Sequence, residues 1–267
     1  MIFIVISIFW YILEGSRVIC PETMKCCPPT NQLVTFATRL LRPIMEDAGW
    51  EGEVFLCGGA FKSLVRDGVP VKDLDLWVRN RKEREKLRAR LIGSGCQLKR
   101  DFHPYCIAFE KAGRAIEITY QNLNERGLDF ILGGCDLGIC SAGVQWADGE
   151  IVAVETTECF QRSWKEGVVH LNDRFRVSLP QTQPASVLRT IDRMESTATE
   201  LGFQTSKPDL ALLWEIYFSM PPPEKRDAVE LYLQTMTGYK GRNNAPMMRR
   251  ACSALTRREP ELLALGN

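Results

Sequence analysis

The chain has 267 residues, with 34 Lys and Arg against 33 Asp and Glu and a formal net charge of +1. That balance excludes the global electrostatic attraction by which strongly basic proteins hold nucleic acid. With 45% apolar and 25% charged residues, the composition is that of a soluble globular chain, not a disordered or fibrous one. The length suits one large domain, or one domain with a helical extension.

Residues 1–13 are almost wholly apolar. The stretch is too short to span a bilayer comfortably. It has neither the basic leading segment nor the small-residue cleavage site of a signal peptide. Residues 1–23 are therefore set apart as an apolar N-terminal extension, and Met24 is the expected start of an ordinary cytoplasmic protein. The alternative is membrane association through residues 1–13, with no stable span. Cys26-Cys27-Pro28-Pro29 then reads as a linker. Leu33, Phe36, Leu40, Leu41 and Ile44 recur at helical spacing and predict a first helix over 32–48.

An apolar run beginning at Val54 ends in Gly58-Gly59. A short amphipathic segment follows, and a second apolar run contains Asp73-Leu74-Asp75. The order predicted is strand, helix, strand. Residues two apart on a strand face the same side, so Asp73 and Asp75 project together. Two carboxylates side by side repel unless a cation sits between them. Mg²⁺ is the usual answer, and it commonly takes substrate phosphates as further ligands. Paired glycines let the backbone approach such phosphates without an obstructing side chain.

From Arg79 to Arg90 the chain carries seven basic and two acidic residues. This predicts a helix over 79–92 that ends at Gly93-Ser94-Gly95. Two readings of it stand: a solvated face partly paired at i,i+4, or a rim that attracts polyphosphate or RNA. Short strands are expected at 96–100, 106–110, 115–120, 136–144 and 150–154, the last two joined by a turn at Ala147-Asp148-Gly149. Helices are expected at 183–201, with Pro184 near its start and Gly202 at its stop, and at 208–219, 224–237 and 245–257. Pro221-Pro222-Pro223 separates two of them.

The ten cysteines include no Cys-x-x-Cys pair, and the only histidines are His103 and His170. A structural zinc site is not expected. Most of the cysteines lie in apolar runs, where Cys packs as a small hydrophobe, and this suits a reducing cytoplasm. His103, in Phe102-His103-Pro104-Tyr105, reads as a local structural residue.

The glycine pair, the spacing and the acidic-apolar-acidic strand resemble the polymerase-β-type nucleotidyltransferase superfamily. Within it the pattern is most similar to the head domain of CCA-adding enzymes and poly(A) polymerases. Those carry Gly-Gly-x-Val-Arg-Asp, whereas here Lys62 and Ser63 stand where Arg and Asp are expected, and Arg66-Asp67 comes four residues late. Cys135-Asp136-Leu137-Gly138-Ile139-Cys140 resembles the Asp-Phe-Thr-Ile-Asn element of the same families, with departures at Gly138 and Cys140. The likeness covers roughly residues 50–145. It extends to the uncharacterised nucleotidyltransferase-like proteins of phages and bacteria.

The resemblance implies an α+β fold, a mixed sheet with flanking helices, and a helical C-terminal region. The expected division is a catalytic domain over 24–160 and helices over 161–267. It further implies metal-dependent transfer of a nucleoside monophosphate from a triphosphate to an acceptor hydroxyl, with Mg²⁺ or Mn²⁺ as cofactor and RNA as one acceptor. Asp73 and Asp75 would be metal ligands and catalytic residues. Glu117, in Ala115-Ile116-Glu117-Ile118-Thr119, is the leading third carboxylate, ahead of Asp101 and Glu110; its alternative is the solvent face of an alternating strand. Gly58 and Gly59 would cradle the triphosphate. Lys62 would reach the phosphates or remain a solvated surface charge, and Asp136 would meet the nucleotide sugar. Arg174, Arg176, Arg189 and Arg193 are either phosphate or acceptor contacts or ordinary salt-bridged surface. Two further functions stay open: a small-molecule or toxin-type nucleotidyltransferase, and a non-catalytic nucleotide- or RNA-binding protein that keeps the fold.

Overall fold

A computed structural model describes residue 28 and residues 30–66, 68–179 and 184–225. The N-terminal extension, the helix expected at 245–257 and nearly all of that expected at 224–237 lie outside the described residues. Among the described residues, no helix is long and apolar enough to cross a membrane.

Seven strands form one sheet: β1 (Val54–Cys57), β2 (Asp73–Trp77), β3 (Gln97–Phe102), β4 (Cys106–Lys111), β5 (Arg114–Thr119), β6 (Ala142–Ala147) and β7 (Glu150–Thr156). Their order is β3-β4-β5-β2-β1-β6-β7. β2 and β5 are parallel, and every other pairing is antiparallel. Two hairpins have left-handed two-residue corners. These are Ala112-Gly113 between β4 and β5, and the expected Asp148-Gly149 between β6 and β7.

Strand alternation gives the sheet two different faces. On one, Leu56, Leu74, Leu76, Ile107, Phe109, Ile116 and Ile118 join a single core with α1 (Thr30–Ala48) and α2 (Arg81–Gly93). α1 contributes the stripe expected from its spacing, from Leu33 through Ile44 to Met45. α2 contributes Leu87 and Leu91, with Arg84 buried beside them. On the other face, Phe55 and Cys57 are covered by Leu128, Ile131 and Leu132 of the short helix α3 (Leu128–Gly133). The rest of that face, from β2 towards β4, carries Asp75, Glu117 and Thr119 and borders a cleft.

The helical part begins with α4 (Glu158–Glu166), which Thr157 caps by accepting from Phe160 N and Gly167 closes at φ 65°. Then come β8 (Val168–Val169), α5 (Asp173–Ser178), α6 (Pro184–Leu201), β9 (Gln204–Thr205) and α7 (Lys207–Ser219). β8 and β9 pair in parallel and tie α6 and α7 back to α4.

Two expected elements take a different form. The segment after Gly58 is a 3₁₀ helix, Gly59–Leu64. The strand expected at 136–144 instead opens with a 3₁₀ turn, Gly138–Cys140, and becomes extended only at Ala142. The cause is close packing under α4: a Cβ on Gly138 would lie 2.4 Å from Cys159 Sγ and 2.9 Å from the Cys159 carbonyl oxygen. The departure at Gly138 from the nucleotidyltransferase element thus has a packing reason in this chain.

Candidate active site

Three neighbouring strands bring the site together. Cys57 of β1 lies opposite Asp75 of β2, and Asp75 lies opposite Glu117 of β5. Directly opposed residues share a face, so the two carboxylates stand side by side. Gly58 follows immediately at the end of β1, with φ +93° and ψ −142°. Glycine alone adopts that region without strain. A Cβ at this position would also lie 3.0 Å from Asp75 Oδ2.

These residues line a cavity of about 590 Å³. Asp75, Glu117, Gly58, Gly59, Cys135, Asp136 and Cys140 are among its lining. Arg174 of α5 and Arg189 and Arg193 of α6 bring positive charge to it. Asp73 is on the same strand face as Asp75, in register with Ala115, but is not among the lining residues.

Asp136 is buried and fully engaged. Its Oδ1 accepts from Leu137 N at 2.9 Å, and its Oδ2 accepts from Arg193 Nη1 at 2.8 Å and Thr190 Oγ1 at 3.4 Å. The Asp136 carboxylate in turn holds the Arg193 guanidinium more firmly protonated than usual. Arg189, one helical turn earlier, is exposed and has no ion pair among the described residues. Arg174 Nη1 donates to the Asp129 carbonyl at 3.0 Å, and its side chain lies where a Cβ on Gly133 would sit at 2.8 Å. Arg176 is turned to another task, pairing with Asp209 of α7.

Lys62 is not among the cavity-lining residues either. Its Nζ donates to Glu200 Oε2 at 2.9 Å, and Lys72 Nζ reaches Glu200 Oε1 at 2.6 Å. Burial alone would raise the Glu200 carboxyl, but the hydrogen bonds from Lys72 and Lys62 bring it below the ordinary value. The ammonium expected at the phosphates is here a strut between the 3₁₀ helix and α6. Among the rival carboxylates, Asp101 accepts from Tyr120 Oη at 2.5 Å and faces Arg88, while Glu110 pairs with Lys99. His103 packs edge-on against Tyr120 at 4.8 Å, a structural role. The basic helix α2 packs on the sheet face opposite the cleft, so it does not form its rim. Arg84 is buried there, donating to the Tyr120 carbonyl and to Asn122 Oδ1, both at 2.9 Å.

Burial favours the protonated thiol at three cysteines lining the cavity, Cys57, Cys135 and Cys140. Burial pushes Cys57 well up, and the neighbouring Cys135 and Asp75 add to this; Cys135 is raised by burial, Cys140 and Asp136. All six cysteines among the described residues are free, and all but Cys135 are buried. The donors offered to a cation are therefore hard carboxylate oxygens. Among the described residues, no group of three or more His, Cys, Asp and Glu could hold a metal ion by itself. Mg²⁺, however, is commonly bound by one or two carboxylates with substrate phosphates completing its shell. The adjacent pair Asp75 and Glu117, beside a glycine turn open to phosphate, fits that manner of binding.

No family model matches the sequence, and no curated protein matches it. Solved structures do. One described as a tRNA-processing enzyme in its apo form superposes with a TM-score of 0.51 and 16% identity, covering 82% of this chain and 58% of that one. A CCA-adding enzyme in complex with ATP gives a TM-score of 0.51 and 20% identity, covering 74% of this chain and 47% of that one. The chain thus spans about half the length of the solved structures it matches. At these identities the likeness is one of fold. With the seven-stranded mixed sheet and its flanking helices, it gives this chain a polymerase-β-type nucleotidyltransferase-like fold.

Proposed function

We propose that the protein is a metal-dependent nucleotidyltransferase, which moves a nucleoside monophosphate from a nucleoside triphosphate to an acceptor hydroxyl, with RNA as the acceptor. The observation that carries this reading is the register pair Asp75 and Glu117, set on one sheet face beside the Gly58-Gly59 turn and lining one cavity with Arg189 and Arg193. The ATP-bound CCA-adding enzyme among the structural neighbours supports the nucleotide, and the tRNA-processing neighbour supports an RNA acceptor.

In this reading the acceptor oxygen forms a bond to the α-phosphorus while the bond to pyrophosphate breaks, with entering and leaving oxygens in line. The Gly58-Gly59 turn lies against the phosphates with no side chain intervening; Gly59 offers its backbone N–H, while that of Gly58 donates to the Ala142 carbonyl at 3.3 Å. Arg189 and Arg193 balance the charge of the triphosphate and the departing pyrophosphate. Asp136, which itself accepts from Thr190, holds Arg193 in place. Glu117 accepts the hydrogen bond of the attacking hydroxyl and orients it. A divalent cation, Mg²⁺ or Mn²⁺, held by Asp75 and Glu117 with Asp73 beside them, would supply Lewis-acid stabilisation at the α-phosphate.

The test is incubation of the full chain with each α-³²P-labelled triphosphate, Mg²⁺ or Mn²⁺ and total RNA, beside an Asp73→Ala/Asp75→Ala double variant. Label on RNA that is lost in the variant is the expected result. Label on a small molecule or on protein moves the acceptor to another class. Metal-dependent triphosphate binding with no transfer to any acceptor leaves a binding protein in place of an enzyme.

A further inference from the structure

The cavity reaches a second region that the phosphates do not need. Past Glu117, on the side away from the glycine turn, it ends at Tyr105, Cys106, Thr119 and Gln121. Tyr105 is the most exposed of the large hydrophobic side chains lining the cavity, at 62%. Its backbone is fixed: Tyr105 N donates to the Phe102 carbonyl at 2.8 Å, and its own carbonyl accepts from Tyr120 N at 2.9 Å and Thr119 Oγ1 at 3.4 Å. The Phe102 ring stacks against it at 5.2 Å and 25° between planes, with the Arg100 guanidinium 5.7 Å from the Phe102 ring. A flat ring is thus held rigidly from behind while much of its surface meets solvent. Among the described residues, neither the Tyr105 hydroxyl nor the Gln121 amide has a hydrogen-bond partner.

The direction of the reaction says what arrives there. In-line displacement puts the leaving pyrophosphate and the attacking oxygen on opposite sides of the α-phosphorus. With the triphosphate along Gly58, Gly59 and the α6 arginines, the acceptor comes from the Glu117 side. Tyr105 is one residue from Cys106, whose Sγ donates to Glu117 Oε2 at 3.5 Å. We infer that Tyr105 is the stacking platform for the terminal base of a single-stranded RNA acceptor, with the Gln121 amide at the edge of that base. This rests on the nucleotidyl-transfer reading and names its acceptor site. Every base has a π-face, so such a platform holds a strand end with little sequence preference. The open rim beside it leaves room for the preceding nucleotides, and an uncharged amide matches the mixed donors and acceptors of a base edge.

The experiment measures binding of a 5′-fluorescein RNA hexamer to the full chain by anisotropy, with Mg²⁺ and without triphosphate, and in parallel the binding of mant-ATP. Tyr105→Ala is expected to weaken hexamer binding roughly 5- to 150-fold, the range that loss of one base–aromatic stack gives, and to leave mant-ATP binding unchanged. Tyr105→Trp restores hexamer binding. A hexamer with an abasic 3′ nucleotide binds the unaltered protein as weakly as the intact hexamer binds Tyr105→Ala, and the two losses do not add. If the protein binds mant-ATP but binds the hexamer equally with and without the Tyr105 ring, or does not bind it at all, this inference is overturned and the transferase reading stands. If it binds no mant-ATP, both fall.

Discussion

Gly58 and Asp75 are fitted to each other: the Asp75 carboxylate occupies the space from which a Cβ on Gly58 would be only 3.0 Å away, and Gly58 has a backbone conformation reserved for glycine. Gly58→Ala therefore meets two obstacles. Its strained backbone costs about 1–3 kcal/mol, and the new methyl displaces the carboxylate. Urea unfolding is expected to show that loss, and mant-ATP titration a weaker affinity. Gly59→Ala is the control. Its Cβ would make an ordinary 3.5 Å contact with Lys62 Cε, so stability should move by no more than about 0.5 kcal/mol.

The adjacency of Asp75 and Glu117 predicts opposite effects on binding and on stability. Asp75→Asn and Glu117→Gln each keep the side-chain shape and remove one of two neighbouring like charges. Without metal, the melting temperature should hold or rise, because repulsion between directly opposed carboxylates is relieved. With Mg²⁺, metal-dependent triphosphate binding should be lost, and transfer should fall by about 100-fold or more. Asp73 is not among the cavity-lining residues, so Asp73→Asn should do less than Asp75→Asn in both assays. Equal effects from the two would place Asp73 at the metal as firmly as Asp75.

Much of this arrangement was legible in the sequence. Alternation along Asp73-Leu74-Asp75-Leu76 gave both the strand and its polar face, and the spacing of α1 gave its buried stripe. Legibility stopped where contacts join distant segments. That Glu117 stands next to Asp75 follows from a parallel pairing across a crossover of α2, β3 and β4, which no local period encodes. Lys62 and Glu200 are 138 residues apart in sequence, and nothing near Lys62 announces the partner that turns it into a strut. The run of charges on α2 left both a solvated face and a phosphate rim open, and only the packing of Leu87 and Leu91 on the other sheet face takes the helix away from the cleft. α4 has a local signal of its own: Thr157 as a cap, and Cys159, Phe160, Ser163 and Trp164 at helical spacing.

Asp136 and Arg193 form the link between the nucleotide face and α6. Arg193 is 42% exposed whereas Asp136 is 7% exposed, so water offsets part of what a broken pair would cost. Asp136→Asn should destabilise by about 1–3 kcal/mol, below the range for a fully buried pair. Arg193→Gln should weaken triphosphate binding, and the double variant should show a coupling of about 0.5–3 kcal/mol. Additive losses in urea unfolding would mean that the two side chains act independently. Arg193→Lys should not rescue the pair, because a single ammonium on a flexible stem cannot reproduce the planar guanidinium beside Asp136 and the cavity.

Glu200 makes the Lys62 strut sensitive to pH in a defined direction. Its side chain is 18% exposed, and the two lysines hold its carboxyl below the ordinary value of 4.5. A carboxyl with a lowered folded-state pKa contributes stability that is fully present above the ordinary value and is lost as pH falls through the folded value. Glu200→Gln should therefore destabilise the protein at pH 7, by about 1–2 kcal/mol for charge-assisted hydrogen bonds that remain partly screened. The difference from the unaltered protein should shrink as pH falls below the ordinary carboxyl value of 4.5. It should also narrow at high salt, since Lys72 is 60% exposed. Chemical denaturation of both proteins across pH 3–7 reads this out. A gap that stays constant across the range would show that Glu200 acts through packing, and that its charge contributes nothing to holding the 3₁₀ helix against α6.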